Sequence, residues 1–197
     1  NSLYSDDEYI NSSNASLVGI GGWGNFSAIE LGKKLAGRTA NVSPSVSSKG
    51  ESITGGCVKK DLETLLQLTY LCFTSPRKDE AAFKSRIERY KSQLANQELD
   101  PTTALSDTIA KVLYDNNVRA RRTRIVVVYR MDFVRIIDFY KVRFADANDF
   151  TFYFVGDIDI ETLKPLLEQY IATLPVLKSK EKFKTIEQKL AKGTITN

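Results

Sequence analysis

The sequence predicts an α+β domain in which helices pack on one face of a mainly antiparallel sheet. Extended segments rich in β-branched or alternating residues lie at 39–58 and 150–155, towards the two ends of the chain. Three long patterns with apolar residues every three or four positions lie between them, as expected for amphipathic helices. A chain of 197 residues is long enough for one domain with a buried core.

The first part of the chain is polar, and glycine then interrupts a short apolar run. Residues 1–13 predict a loop or a frayed end. Residues 15–20 leave helix or strand open, because four glycines between positions 19 and 24 break the run. The sequence S-x-x-E at 27–30 is a capping box that begins a short helix, and Gly37 ends that helix.

A hairpin and three helices are predicted next. Residues 39–46 alternate apolar and polar side chains, a turn follows at 47–50, and 52–58 is again extended. Pro44 marks the first of these strands as an edge strand. The helices that follow span 60–73, 79–96 and, with Asp100 as cap and Pro101 in the first turn, 101–114.

The last third begins with a basic segment and ends with a strand and a helix. Four arginines from Arg119 to Arg124 precede residues 125–128, an apolar run that taken alone predicts a strand. An amphipathic helix is expected over 132–144. Residues 150–155 are all aromatic or β-branched and predict a strand, after which Asp159 caps a closing helix.

Histidine is absent from the sequence, and its absence excludes several kinds of site. A Ser-His-Asp or Cys-His mechanism, His-ligated zinc and a helical H-E-x-x-H motif all require histidine. Cys57 and Cys72 are too few for a disulfide framework and are expected to be buried free thiols. The net charge of +4 favours solubility over a nucleic-acid surface.

Neither a membrane span nor a targeting segment is predicted. No apolar run approaches the roughly 18 residues of a spanning helix. No signal peptide is recognisable in residues 1–16, and the missing initiator Met predicts a processed or shortened chain. The start of the chain therefore leaves its compartment open.

Three short motifs allow both a functional and a structural interpretation. The run from Gly19 to Gly24 fits the dinucleotide-binding pattern G-x-G-x-x-G, but residues 38–48 lack the expected acid, which favours a plain turn. Asp157 and Asp159 could hold magnesium, yet a turn and a helix cap already use both. The arginines from Arg119 to Arg124 could meet phosphates, although a solvated loop or a surface for an acidic partner is favoured.

Several segments in fixed order form a more specific combination than any one of them. They are 24–27 with the following helix and 35–37, then 42–44, 60–68, 73–77, 140–147 and 150–175. Together they cover most of residues 17–175. The combination resembles the zinc peptidases of the pitrilysin/insulinase superfamily.

The resemblance implies an α+β module of about 200 residues, which long bacterial members repeat four times. Only the first repeat of such enzymes carries the inverted zinc motif H-x-x-E-H, so this chain resembles a later, non-catalytic repeat, most closely the third. The substrate-binding Arg and Tyr of the family lie in the last repeat. No catalytic, cofactor-binding or metal-binding residue is therefore expected here, and zinc is expected in another module of the parent.

These inferences define the domains and function that we expect. Residues 1–14 form a polar N-terminal segment, 15–175 the module, and 176–197 a Lys-rich linker to a following module. The module helps to enclose a peptide substrate in a zinc metalloendopeptidase, with other modules of the same polypeptide as partners and without nucleic acid. Related bacterial enzymes favour a periplasmic or cell-envelope location.

Two further expectations can be tested against the structure. The alternative function is a dinucleotide-binding domain built on the turn from Gly19 to Gly24, which requires a parallel sheet. A free sheet edge is expected to bind extended peptides weakly and with little sequence preference, and Pro44 would blunt one such edge.

Overall fold

A computed structural model describes residues 5–47, 50–177 and 190–193. The helices and strands, in chain order, are α1 (Asp6–Ser12), α2 (Ala28–Lys34), β1 (Ala40–Val46), β2 (Glu51–Cys57), α3 (Leu62–Thr74), α4 (Glu80–Glu98), α5 (Pro101–Leu113), α6 (Ile125–Val128), α7 (Phe133–Arg143) and α8 (Ile160–Tyr170). β1 and β2 form an antiparallel two-stranded sheet, and this arrangement confirms the α+β class. Within the described ranges, no helix is long and apolar enough to cross a membrane.

Most of the longer helices begin close to the predicted position, at a residue whose side chain caps the first turn. The Ser27 hydroxyl accepts from the Glu30 amide while the Glu30 carboxylate accepts from the Ser27 amide, which completes the capping box of α2. Aspartates cap α4, α5, α7 and α8 in the same way, namely Asp79, Asp100, Asp132 and Asp159. Each cap satisfies amides that the first helical turn leaves unpaired.

The N-terminal segment contains a helix, so the loop predicted over residues 1–13 is wrong for α1. Ser5 caps this helix. Its acidic residues form ion pairs with later elements: Asp6 with Arg119, Asp7 with Arg130 and Glu8 with Arg135. The nearest of these partners lies 113 positions away in sequence. A local signal for α1 was also present, because residues 5–8 read S-x-x-E and the Ser5 hydroxyl accepts from the Glu8 amide.

The core is centred on α7. Ile136, Tyr140 and Phe144 are fully buried, as the predicted stripe requires. The rings of Tyr140 and Phe144 stack with centroids 4.5 Å apart, and Trp23 packs 5.9 Å from Tyr140. The Tyr140 hydroxyl donates to the carbonyl of Cys72 at 2.9 Å. α7 therefore joins the glycine-rich turn to α3.

Residues 150–155 form no strand, so that prediction is wrong. Exposed and half-buried residues alternate from 151 to 155, and these five residues make no backbone hydrogen bond to the part of the chain that the structure describes, while the Phe150 amide donates only to the nearby Ala147 carbonyl. A strand needs a paired neighbour. The nearest strand, β2, lies across an open groove, and this separation is the reason for the difference.

Two helical segments also differ from their sequence patterns. Residues 125–128 alone favour a strand but form the short helix α6, with Val128 buried in the core. The apolar stripe of α5 lies largely in solvent, because Leu105, Ile109 and Leu113 are 60%, 48% and 50% exposed. The described residues leave this face of α5 about half exposed.

Candidate functional site

An open groove lies beside β2. One wall is formed by residues 51–55 of β2 and the other by residues 149–154, which enclose about 540 Å³. The floor is formed by side chains of α3 and the end of α8, namely Leu65, Thr69, Phe73 and Ile171. A second opening of about 310 Å³ continues along the same two walls from Gly55 to Asp157. We refer to the two together as the strand groove.

The backbone of β2 faces the strand groove with unpaired polar groups. Val58 donates its amide hydrogen to the carbonyl of Thr39, and ladder bonds in an antiparallel pair use every second residue. The even-numbered residues of β2 therefore bond to β1, and the odd-numbered ones turn their N–H and C=O groups towards the groove. These outward-facing residues are Glu51, Ile53, Gly55 and Cys57.

A buried ion pair lies at one end of the strand groove. Glu51 and Arg143 are 2.6 Å apart, and their side chains are only 8% and 9% exposed. Oε2 of Glu51 is buried and accepts no hydrogen bond from any residue that the structure describes. The pair links β2 to α7 and leaves one acceptor on the groove wall unsatisfied.

The two cysteines are free, and they lie in different surroundings. Cys72 is fully buried in the core, and burial raises the pKa of its thiol to about 12. Cys57 lines the second opening and is half-buried. Burial and, secondarily, the charge of Asp61 raise the pKa of the Cys57 thiol. Neither cysteine has the lowered pKa of a reactive thiol.

The glycine-rich turn does not have the geometry of a nucleotide site. Residues Ala15–Gly21 form a 3-10 turn where a dinucleotide fold requires a strand, and the hairpin that follows is antiparallel. Gly22 has a φ of 88°, and a Cβ there would lie 2.2 Å from the carbonyl oxygen of Phe26. Protein backbone therefore fills the space next to this glycine. The dinucleotide-binding alternative is unsupported.

The charged motifs are occupied by structural contacts. Asp159 caps α8, and hydrogen bonds from Thr162 lower the pKa of its carboxyl. Asp157 pairs with Lys59 at 3.3 Å.

Three of the four arginines in the cluster pair with carboxylates, while Arg121 donates to the carbonyl of Asn116. Arg122 forms a two-pronged pair with Asp107 at 2.7 and 2.8 Å, while Arg124 lies 3.6 Å from Glu98. Arg119 pairs with Asp6 and stacks over the ring of Tyr9. These carboxylates already compensate much of the positive charge that a phosphate would meet.

Sequence reasoning missed the strand groove because it placed residues 150–155 inside the sheet. One signal in the sequence pointed to an open edge. The segment of β2, E-S-I-T-G-G-C, contains neither Pro nor Lys, the residues that commonly protect exposed edge strands.

Comparison with known proteins relates this geometry to a family. A family model described as the Peptidase M16 inactive domain matches residues 131–197. The chain is 29% identical over 118 residues to a "Zinc protease PQQL-like" protein of Arabidopsis thaliana, covering 58% of this chain and 12% of the relative. It is 27% identical over 127 residues to the "Probable zinc protease PqqL" of Haemophilus influenzae, covering 63% and 13%.

The fold agrees with these matches. The structure of the periplasmic protease PqqL from Escherichia coli superposes with a TM-score of 0.72 at 16% identity, covering 96% of this chain and 21% of that one. These matches support a pitrilysin-like module. This module spans about an eighth of the length of its curated relatives, and the inactive-domain match supports a non-catalytic part of a protease.

The residues of the pitrilysin-like module do not fit a zinc ion. The two curated relatives are named as zinc proteases. Among the residues described, no group of three His, Cys, Asp or Glu side chains could hold a metal, and the sequence has no histidine. The protonated, buried thiol of Cys72 is a poor zinc ligand, because zinc binds the thiolate. We derive no zinc chemistry from this chain.

Proposed function

We propose that this pitrilysin-like module is a structural and substrate-enclosing part of a zinc-dependent metalloendopeptidase. Peptide hydrolysis then takes place in another module of the parent polypeptide, which holds the zinc ion. The observation that carries this proposal is the match of an inactive peptidase domain to a chain without histidine. Among the repeats of such enzymes, the third is the one we favour.

The surface of the module supports a role inside a larger polypeptide. Leu105, Ile109 and Leu113 follow one another at four-residue spacing on α5 and are about half exposed. Leu99, just before α5, is 83% exposed. An exposed apolar stripe of this kind is typical of a surface that another protein part covers. We therefore place a neighbouring module of the same polypeptide against α5.

A relative supports a location for the parent. The superposed PqqL of Escherichia coli is a periplasmic protease, and we propose a periplasmic or cell-envelope location for a bacterial parent. The enclosed substrate is a peptide or an unfolded segment, because a walled chamber admits only chains that fit inside it.

The experiment compares the purified chain with its full-length parent. Metal content is measured by mass spectrometry, and hydrolysis is followed with an internally quenched peptide. We expect less than stoichiometric zinc and no hydrolysis for the chain alone. For the parent, we expect bound zinc and hydrolysis that a chelator abolishes.

Two results would contradict the proposal. One is chelator-sensitive hydrolysis by the isolated chain, which would place the catalytic centre here. The other is a parent that neither binds zinc nor cleaves peptides, which would remove the enzyme that the module is proposed to serve.

A further inference from the structure

We infer that the strand groove holds one β-strand from another part of the parent polypeptide. This strand would pair with β2 on one side and with residues 150–155 on the other, making one continuous sheet. The inference rests on the proposed function, because the strand must come from a polypeptide longer than this chain.

Both walls of the strand groove present backbone groups that need partners. The odd-numbered residues of β2 point their amides and carbonyls into it, and residues 151–155 make no backbone hydrogen bond with the described chain. Unpaired backbone groups that become buried are costly, and native proteins pair nearly all of them. One strand placed in the opening between these two edges could pair with both of them.

The size of the strand groove agrees with one strand. Neighbouring strands lie about 4.8 Å apart, each residue advances about 3.4 Å, and sheet layers are about 10 Å thick, so one strand residue fills about 160 Å³. The opening of about 540 Å³ therefore holds about three residues, and its continuation of about 310 Å³ about two more.

The floor and rim predict the side chains of the missing strand. Leu65 and Phe73 of α3 form an apolar floor, while Tyr153 and Val155 on the outer face are 84% and 96% exposed. A strand inserted here has one face on α3 and the other on the outer surface of the sheet. Its residues on the α3 face are therefore apolar.

The two free edges of the hairpin are treated differently, and this contrast favours a permanent occupant over a passing peptide. On β1, Pro44 lies opposite Ile53, at a position that faces away from β2. Pro44, itself buried, therefore removes a donor from the outer edge of β1, as expected for an edge that takes no further strand. β2 has no such protection, and an unprotected edge is typical of one that is always covered. The curated relatives are long enough to supply the strand, since this chain spans only 12% and 13% of them.

Hydrogen–deuterium exchange tests this inference without any added ligand. Exchange is measured by mass spectrometry for fragments covering 51–57 and 150–156, in the isolated chain and in the full-length parent. We expect the groove-facing amides to exchange about 100-fold more slowly in the parent, because a paired strand opens far less often than a free one. A fragment covering α7 serves as the internal control and exchanges equally in both samples.

A matched pair of variants in the parent locates the pairing. Ile53→Pro removes an amide that faces the groove, and Val42→Pro removes an amide on the outer edge of β1. We expect Ile53→Pro to accelerate exchange at 150–156 about tenfold or more, and Val42→Pro to leave it unchanged. Unchanged exchange in α7 shows that each variant is folded. If a variant unfolds, the exchange rates of the unsubstituted chain and of the unsubstituted parent still test the inference.

Three outcomes would overturn the inference. Fast exchange at both fragments in the parent would show that the groove stays empty. Slow exchange only after adding a substrate peptide would make the occupant a substrate. Protection in the isolated chain that grows with protein concentration would make it a second copy. Peptide hydrolysis measured on the same parent sample distinguishes the failure of this inference from the failure of the proposed function. If the parent hydrolyses peptide while the groove amides exchange fast, only the inferred strand is contradicted.

Discussion

Helix α7 and residues 150–155 are both rich in aromatic residues, yet they differ in how completely this chain surrounds them. In α7, Tyr140 and Phe144 are fully buried, whereas Tyr153 is 84% exposed. A helix pairs its amides within itself, so α7 needs only apolar neighbours. A strand pairs its amides with another strand, and none lies beside 150–155 among the described residues. The helical layer is therefore stabilised by contacts within this chain, while the sheet layer has an open position.

The two cysteines provide the largest expected contrast between the core around α7, which contains Cys72, and the strand groove, which Cys57 lines. With a pKa of about 12, Cys72 carries about one thiolate in ten thousand molecules at pH 8, and its site is closed to reagent. Cys57 lines the strand groove. We expect Cys57 to react with a disulfide reagent such as DTNB at least about 1,000-fold faster than Cys72. Stopped-flow absorbance measures both rates.

Single-cysteine variants assign the two phases. Cys57→Ser should remove the fast phase, and Cys72→Ser should leave it. Two thiols of similar rate would show that the core around α7 opens as readily as the groove.

Two tyrosines, one in α7 and one in residues 150–155, test whether the two regions contribute differently to the free energy of unfolding. We expect Tyr140→Ala to lower the free energy of unfolding by about 4 kcal/mol, because it leaves a large cavity in the core. Tyr153→Ala should change it by less than about 0.5 kcal/mol, as an exposed position does. Urea denaturation of the chain followed by circular dichroism gives both values. Equal losses would mean that residues 150–155 are packed in solution.

The buried ion pair that links α7 to β2 gives a smaller effect. We expect Arg143→Met to cost about 3 kcal/mol, because it leaves the buried Glu51 carboxylate without its partner. Arg130→Met is the matched control, since Arg130 and Asp7 form a pair whose side chains are 60% and 90% exposed. An exposed pair contributes about 0.5 kcal/mol or less. The same denaturation experiment applies, and a similar cost for both variants would show that the Glu51 site is hydrated.

The smallest effect is expected at the cap of α8. Hydrogen bonds from Thr162 lower the pKa of Asp159 in the folded chain. Its contribution to stability is therefore fully present above the unfolded-state pKa of about 3.9 and is lost as the pH falls through the lower folded-state value. Asp159→Ala should lower the melting temperature at pH 7 by less than either core substitution, and the difference should vanish in acid.

Asp157→Ala is the control for this cap. Asp157 forms only an exposed pair with Lys59, so its loss should leave the melting temperature nearly unchanged at any pH. A difference between wild type and Asp159→Ala that persists unchanged at pH 2 would contradict the role of the ionised carboxylate.

The strand groove was only partly predictable. The sequence predicted a free sheet edge and identified Pro44 as the protection of one edge. It did not place the open edge on β2 or show that residues 150–155 face it. Pairing between strands depends on which segments meet in space, and the sequence of each segment favours a strand whether or not a partner is present.

The sequence by itself determined most of the helices and the absence of a histidine-based centre. Ser27 with Glu30, and Asp100 and Asp159 at later starts, predict helix boundaries because a cap acts on amides within three residues of itself. Tertiary structure decided where α1 docks, the helical state of 125–128 and the unpaired state of 150–155. The ion pairs of α1 join partners at least 113 positions away, and Val128 is drawn into the core. Local interactions can be read along the chain, whereas contacts between distant segments exist only once the chain has folded.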